Sequence, residues 1–228
     1  MPGVAIGDSE FTMRVYCDFD GTVTKADTTD EVLSRLAGAD WMRLEEEWVA
    51  GRMSAADCMR AQIALVRHDD MALDAVLDTM TIRDGFADLV HWCRDQLVPF
   101  TIVSDGVDRF IHRILARHDL GHIPVFSNRL VSAQGAYGLE QPFKRQGCAA
   151  GSGVCKCEIV DVAPPADPMV FIGDGRSDFC VSGRAELLFA RDRLAEYAEQ
   201  RGQPYTPFDN FFDVLLALKA HVAERRTA

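Results

Sequence analysis

Along this chain, short continuous apolar runs alternate with longer stretches in which apolar residues return every three or four positions. Met13-Arg14-Val15-Tyr16-Cys17, Val98 to Val103, Ile123 to Phe126, Pro168 to Ile172 and Leu187 to Ala190 are the short runs. Each reads as a strand buried on both faces. Between them, Phe86, Leu89, Val90 and Cys93 lie at helical spacing behind Asp84-Gly85, and Phe110, Ile111, Ile114 and Leu115 do so within Val107 to Leu120. Helices are also expected near Cys155 to Val162, over Asp192 to Gln200 and over Phe211 to Val222, with room for a short strand at Pro204 to Thr206. Strand, polar turn, helix and strand again is the rhythm of a parallel sheet. One exception is predicted: Leu130-Val131-Ser132 and Ala136 to Leu139, joined through Gln134-Gly135, form an antiparallel hairpin.

From Thr28 to about Asp84 the pattern is helical throughout. Helices are predicted over Asp30 to Leu36, Trp41 to Val49, a segment capped by Ser54 and running to Val66, and Asp70 to Met80. Four helices directly after the first strand suggest a small bundle lying over the strand ends. The expected division is a core domain of residues 1–26 and 84–228 with a helical cap of residues 27–83.

At 228 residues the chain suits one α/β domain with a modest insertion, or two small domains, and 48% hydrophobic residues suffice for a real core. The net charge of −11 argues against nucleic-acid binding, which needs Lys and Arg clusters. No run approaches the roughly 18 apolar residues of a membrane span, and Met1 to Phe11 lacks a secretory pattern, so a cytoplasmic protein is expected. Seven scattered cysteines read as reduced thiols. Cys148, Cys155 and Cys157 crowd together, but zinc there would lack an evident fourth ligand, and Cys-x-Cys is poor tetrahedral spacing.

Three predicted strand ends carry polar clusters: Asp18 with Asp20, Ser104 with Asp105-Gly106, and Asp174 with Asp178. Parallel strands deliver their carboxyl ends to one sheet edge, so these groups can share a pocket. Two carboxylates about 4 Å apart repel by roughly 4 kcal/mol at an effective dielectric near 20. Three or four acids in one cleft therefore require a cation, and hard oxygen donors without histidine suggest Mg²⁺. Ser104 and the backbone N–H groups of a helix start would cradle an anion. Lys156, near another helix start, would supply fixed positive charge.

Asp18-Phe19-Asp20-Gly21-Thr22 with Val23-Thr24, then Ser104, Lys156, and Gly173-Asp174-Gly175 with Asp178, resemble in order the four motifs of the haloacid dehalogenase superfamily. That resemblance implies a Rossmann-like core and a Mg²⁺-dependent phosphomonoesterase acting on a small phosphorylated metabolite. Asp18 would be the nucleophile and Asp20 the acid and base. Asp18, the backbone carbonyl of Asp20, Asp174 and Asp178 would serve the metal, Ser104 and Gly106 would bind phosphoryl oxygens, and Lys156 would neutralise charge. The helical insertion is similar to the cap of the phosphoserine phosphatase subgroup. There a cap arginine, matched here by Arg60, receives the substrate carboxylate, and Asp27 replaces the usual glutamate. The Cys148 to Cys157 run, Phe189-Ala190-Arg191-Asp192, Tyr205-Thr206-Pro207-Phe208, Trp41 and Gly51-Arg52-Met53-Ser54 instead resemble a methionine-salvage family. Its members dephosphorylate 2-hydroxy-3-keto-5-methylthiopentenyl-1-phosphate, and the salvage-type reading is preferred. A phosphotransferase or mutase, and a silent binding module, are the alternatives from other classes. No membrane partner is expected, and homodimer formation is left open.

Overall fold

A computed structural model describes residues 13–133, 135–162 and 168–227. The expectations for Met1 to Phe11 and for Gln134 lie outside the described residues. The first strand, β1 (Arg14–Cys17), is followed by four helices, α1 (Thr28–Leu36), α2 (Asp40–Val49), α3 (Ala55–Leu65) and α4 (Asp70–Leu77). The chain then alternates through α5 (Phe86–Asp95), β2 (Phe100–Val107), α6 (Asp108–Ala116) and the hairpin β3 (Val125–Ala133) and β4 (Ala136–Glu140). It continues with α7 (Lys156–Asp161), β5 (Met169–Gly173), a 3₁₀ turn Arg176–Asp178, α8 (Phe179–Ser182), β6 (Leu187–Ala190), α9 (Asp192–Gln200), β7 (Thr206–Pro207) and α10 (Phe211–Thr227).

The strands form one sheet in the order β4-β3-β2-β1-β5-β6-β7. All neighbours are parallel except β3 and β4, as the predicted hairpin requires. The central register decides where the polar ends fall. Cys17 pairs with Ile102 on one side and Ile172 on the other. Asp18, Ser104 and Asp174 therefore leave the sheet at one edge.

Two expectations are corrected. The polar cluster after Val103 is not a turn ahead of a helix start: β2 runs on through Ser104, Asp105 and Gly106, and α6 begins only at Asp108. Pairing with β3 shifts register between Val103 and Val107, which meets Asn128, so the strand bulges instead of ending. Likewise the two runs from Ile123 to Ser132 are one strand. β3 first pairs with β2 and then, from Arg129, with β4.

The four inserted helices leave and rejoin the sheet through paired backbone. Thr24 bridges Ile82 in antiparallel fashion, and Arg83 N donates to Val23 O at 2.7 Å. α1 begins at an Asp27 cap accepting from Asp30 N, and α3 at a Ser54 cap accepting from Asp57 N. Arg109 and Arg113 of α6 pair with Asp74 and Asp78 of α4 at 2.7–3.1 Å, tying the last inserted helix to the core. Phe86 at the start of α5 is fully buried, its ring 5.8 Å from Phe100 and 5.0 Å from Phe211 in edge-on contacts. Among the described residues no helix is long and apolar enough to cross a membrane. Phe86→Ala is expected to lower stability by about 3–5 kcal/mol, read from the urea midpoint at unchanged slope.

Candidate active site

The loop after β1 carries two acids with different partners. Asp18 is buried, and its Oδ1 lies 2.7 Å from the Lys156 Nζ. Asp20, two residues on, turns away from that cluster: its Oδ1 accepts from the Thr28 N–H at 3.0 Å and from the Thr28 hydroxyl. Gly21 adopts φ +75°, and a Cβ there would lie 2.5 Å from Asp174 Oδ2, so only glycine lets the loop pass so close. Thr22 donates its hydroxyl to Asp174 Oδ1 at 2.5 Å, while Arg83 clasps the Gly21 and Thr22 carbonyls at 2.9 and 3.1 Å.

Lys156 opens α7 with its whole side chain buried, and its ammonium also reaches Asp178 Oδ1 at 2.6 Å. The other Asp178 oxygen accepts the N–H groups of Asp174 and Gly175, each at 3.1 Å. Asp18, Asp174 and Asp178 each place an oxygen within 4.8 Å of the others. Three carboxylates against one ammonium leave a net excess of two negative charges, and the acids respond. Burial, reinforced by Asp178, pushes Asp18 well above the usual carboxylate range. Burial and Asp178 also lift Asp174 to about 6, while burial and Asp27 lift Asp20 to about 7. In Lys156, desolvation opposes the charge, but Asp178 and Asp18 outweigh it and hold the ammonium protonated.

These groups form the floor of a cavity of about 700 Å³. Ser104 and Gly106 line it from the β2 bulge, where Gly106 N donates to Ser104 Oγ at 2.9 Å. A Cβ on Gly106 would collide with the Asp20 carboxylate. Asp27, Trp48 and Met59 close it from the inserted helices, and Arg176 lies with its guanidinium 5.5 Å above the Trp48 ring.

The haloacid dehalogenase-like hydrolase model matches residues 15–182. This chain belongs to that family. Among curated relatives, it is 30% identical over 211 residues to the 2-hydroxy-3-keto-5-methylthiopentenyl-1-phosphate phosphatase of Brevibacillus brevis, covering 90% of this chain and 94% of that protein. The enzyme of the same name from Geobacillus kaustophilus is also 30% identical, over 90% of this chain and 94% of its own. Among solved structures, a phospho-aspartyl intermediate analogue of phosphoserine phosphatase superposes with a TM-score of 0.68 at 20% identity, covering 91% of this chain and 98% of that one. That structural likeness concerns the fold.

Within this haloacid dehalogenase-like framework, Asp18, Asp20, Ser104, Gly106, Asp27 and Asp174 line the cavity, with Lys156 and Asp178 buried behind them. Arg60 does not join them. Its guanidinium pairs with Asp57 at 3.1 Å and with Gln141 on the outer face of α3. Ala55, Cys58, Met59 and Gln62 are the α3 residues that line the cavity. The nearby Lys144 also pairs with Asp57, at 3.2 Å.

Asp105 and Asn128 form a support that the sequence reading passed over. The Asn128 amide, fully buried, donates to the Asp105 carbonyl at 2.5 Å and approaches the Gly106 carbonyl at 3.3 Å. Asp105 Oδ1 accepts the Val154 N–H at 3.0 Å, and burial raises its carboxyl to about 6. This network ties β2, β3 and the segment before Lys156 together. The only sequence signal was the Phe126-Ser127-Asn128-Arg129 stretch itself.

The raised carboxylates have a pH signature. Asp20 and Asp174 keep their protons in the folded chain to about pH 7 and 6, whereas in the unfolded chain they release them near pH 4. Where the folded state binds more protons, stability falls as pH rises. Metal-free protein is therefore expected to melt at a lower temperature at pH 7.5 than at pH 5. The drop should be smaller in Asp20→Asn, as differential scanning fluorimetry will show.

Proposed function

We propose that this chain is a phosphomonoesterase for small phosphorylated metabolites that works through an aspartyl-phosphate on Asp18. The observation carrying this reading is the split in the Asp18 loop. One carboxylate is held by Lys156 among further acids, and its neighbour two residues on is held apart with a carboxyl lifted to about 7. Asp18 thus stands beside the Lys156 ammonium, which favours its ionised form, and Asp20 two residues on can exchange a proton near neutral pH.

In the first step a carboxylate oxygen of Asp18 attacks phosphorus in line. The bond from phosphorus to the ester oxygen breaks, and Asp20 donates its proton to that leaving oxygen. In the second step the Asp20 carboxylate takes a proton from water, whose oxygen attacks the phosphoryl group and frees Asp18. Lys156 offsets charge on Asp18 throughout. Ser104 and Gly106 bind the phosphoryl oxygens, and Asp178 fixes the Lys156 ammonium. Positioning and electrostatics account for such a transfer.

A divalent cation fits the donor set: hard carboxylate oxygens from three acids that face a single ammonium. Asp18, Asp174 and the backbone carbonyl of Asp20 would hold Mg²⁺, with Asp178 behind them. When bound, Mg²⁺ supplies positive charge against the phosphoryl oxygens. We read residues 27–83 as the cap domain that closes over this site.

For the substrate, we infer one like that in the names of the curated relatives, 2-hydroxy-3-keto-5-methylthiopentenyl-1-phosphate. Trp48, Met59, Phe179 and Tyr197 give the cavity an apolar wall suited to an uncharged tail. Arg60, which a phosphoserine phosphatase reading would aim at a substrate carboxylate, faces outward.

Asp18→Asn is expected to lower Mg²⁺-dependent release of inorganic phosphate from p-nitrophenyl phosphate by at least ~10³-fold, with an unchanged circular dichroism spectrum. Near wild-type release would overturn the assignment. Phosphate transfer to an acceptor without free phosphate would instead indicate a phosphotransferase. Arg60→Ala is expected to leave kcat/KM within about twofold for both phosphoserine and the salvage ester, less than about 0.5 kcal/mol. A selective loss on phosphoserine would restore Arg60 as a substrate contact.

A further inference from the structure

Beside the cavity, outside the acid cluster, thiols gather from three segments. Cys148 sits on the loop before α7, Cys155 and Cys157 flank Lys156, and Cys180 lies in α8. All are free. Cys180 interacts with Cys157, a partner not evident from spacing alone, yet the thiols do not make a metal site. Among the described residues, Asp18, Asp174 and Asp178 are the group of three ligating side chains close enough for one ion.

Cys148 and Cys155 differ in a way that suits redox chemistry. Cys148 is half-buried, whereas Cys155 is 4% exposed at the start of α7. The Cys155 thiol interacts with the Cys148 sulfur, which also lies 4.0 Å from the Ser152 hydroxyl. Burial alone would raise the Cys148 thiol. The Ala150 N–H, the Cys155 thiol and the Ser152 hydroxyl and N–H outweigh it, so the Cys148 thiol lies below its ordinary value. Burial raises Cys155 instead. A more acidic, accessible thiol beside a buried, less acidic one suits an attacking and resolving pair.

We propose that Cys148 and Cys155 are an oxidisable dithiol whose disulfide switches the neighbouring site off. With hydrogen peroxide as oxidant, the Cys148 thiolate attacks one peroxide oxygen and the O–O bond breaks, giving a sulfenic acid and hydroxide. Cys155 sulfur then attacks the Cys148 sulfur, its proton leaves with the departing hydroxyl as water, and the S–S bond closes. Two electrons pass from the sulfurs to the peroxide. Thiol–disulfide exchange with a small dithiol reverses the reaction.

Closure reaches the site through the backbone. A disulfide needs sulfurs about 2.05 Å apart, which draws the 148–155 loop against the first turn of α7. That loop lines the cavity with Ala149, Ala150 and Ser152, its Val154 N–H holds Asp105, and Lys156 follows Cys155 directly. A shift of about 1 Å at reacting groups costs turnover about 10²-fold.

The experiment treats reduced full-length protein with hydrogen peroxide, maps disulfides by mass spectrometry, and follows p-nitrophenyl phosphate turnover before and after dithiothreitol. Wild type is expected to lose two of its seven thiols, to yield a Cys148–Cys155 linked peptide, and to lose at least ~10-fold in turnover, restored on reduction. Cys148→Ser and Cys148→Ala should keep their turnover under the same treatment. A bridge between any other pair, sulfinic acid without a bridge, or full turnover in the bridged protein would overturn the proposal. The inhibition arm rests on the phosphatase reading. If reduced protein hydrolyses no phosphate ester, that reading fails, while the linked peptide still decides whether the dithiol exists.

Discussion

Lys156 lies wholly buried with its ammonium 2.7 Å from Asp18 and 2.6 Å from Asp178, and the site depends on that shared contact. Burying an ammonium costs several kcal/mol unless its protons are all claimed. Here one carboxylate belongs to the loop after β1 and the other to the turn after β5. The ammonium thus joins two strand ends whose own charges would drive them apart. Asp178 is in turn fixed by two backbone N–H groups, so the pair has little freedom to drift. The arrangement remains anionic, which fits a site designed around an added cation and not around burial for stability.

On the opposite side, the bulge in β2 does a comparable job with neutral groups. A regular strand would alternate Ser104 and Gly106 with their neighbours across the two sheet faces. The register shift after Val103 lets Ser104 Oγ meet the Gly106 N–H at 2.9 Å. Asn128 and the Val154 N–H hold Asp105 in place. The cavity-facing groups of the bulged strand are thereby held by buried hydrogen bonds, each unable to let go without leaving a polar atom unsatisfied.

Most of the sheet and the acid cluster were legible because they rest on local contrast. An apolar run such as Met169 to Ile172 followed by Gly173-Asp174 announces both a strand and its end, and the Asp18 stretch does the same. What was not legible rests on tertiary pairing. Ser104, Asp105 and Gly106 are poor strand formers, and Asn128 with the Val154 N–H holds that segment in place. Arg60 was matched by resemblance to a cap arginine, and its pairing with Asp57 and Gln141 rests on tertiary contacts that the resemblance does not carry. The Cys180 side of the thiol group, more than twenty residues from Cys157, has no counterpart in spacing.

The inserted helices depart at Thr24 and return at Ile82 on adjacent backbone, so the far wall of the cavity is written in one uninterrupted stretch of sequence. Asp18, Asp20, Asp174, Asp178 and Lys156 all come from outside that stretch, as do Phe179 and Tyr197 on the cavity wall. Drift within one contiguous segment can therefore reshape one side of the cavity while the acid cluster at the strand ends is inherited intact.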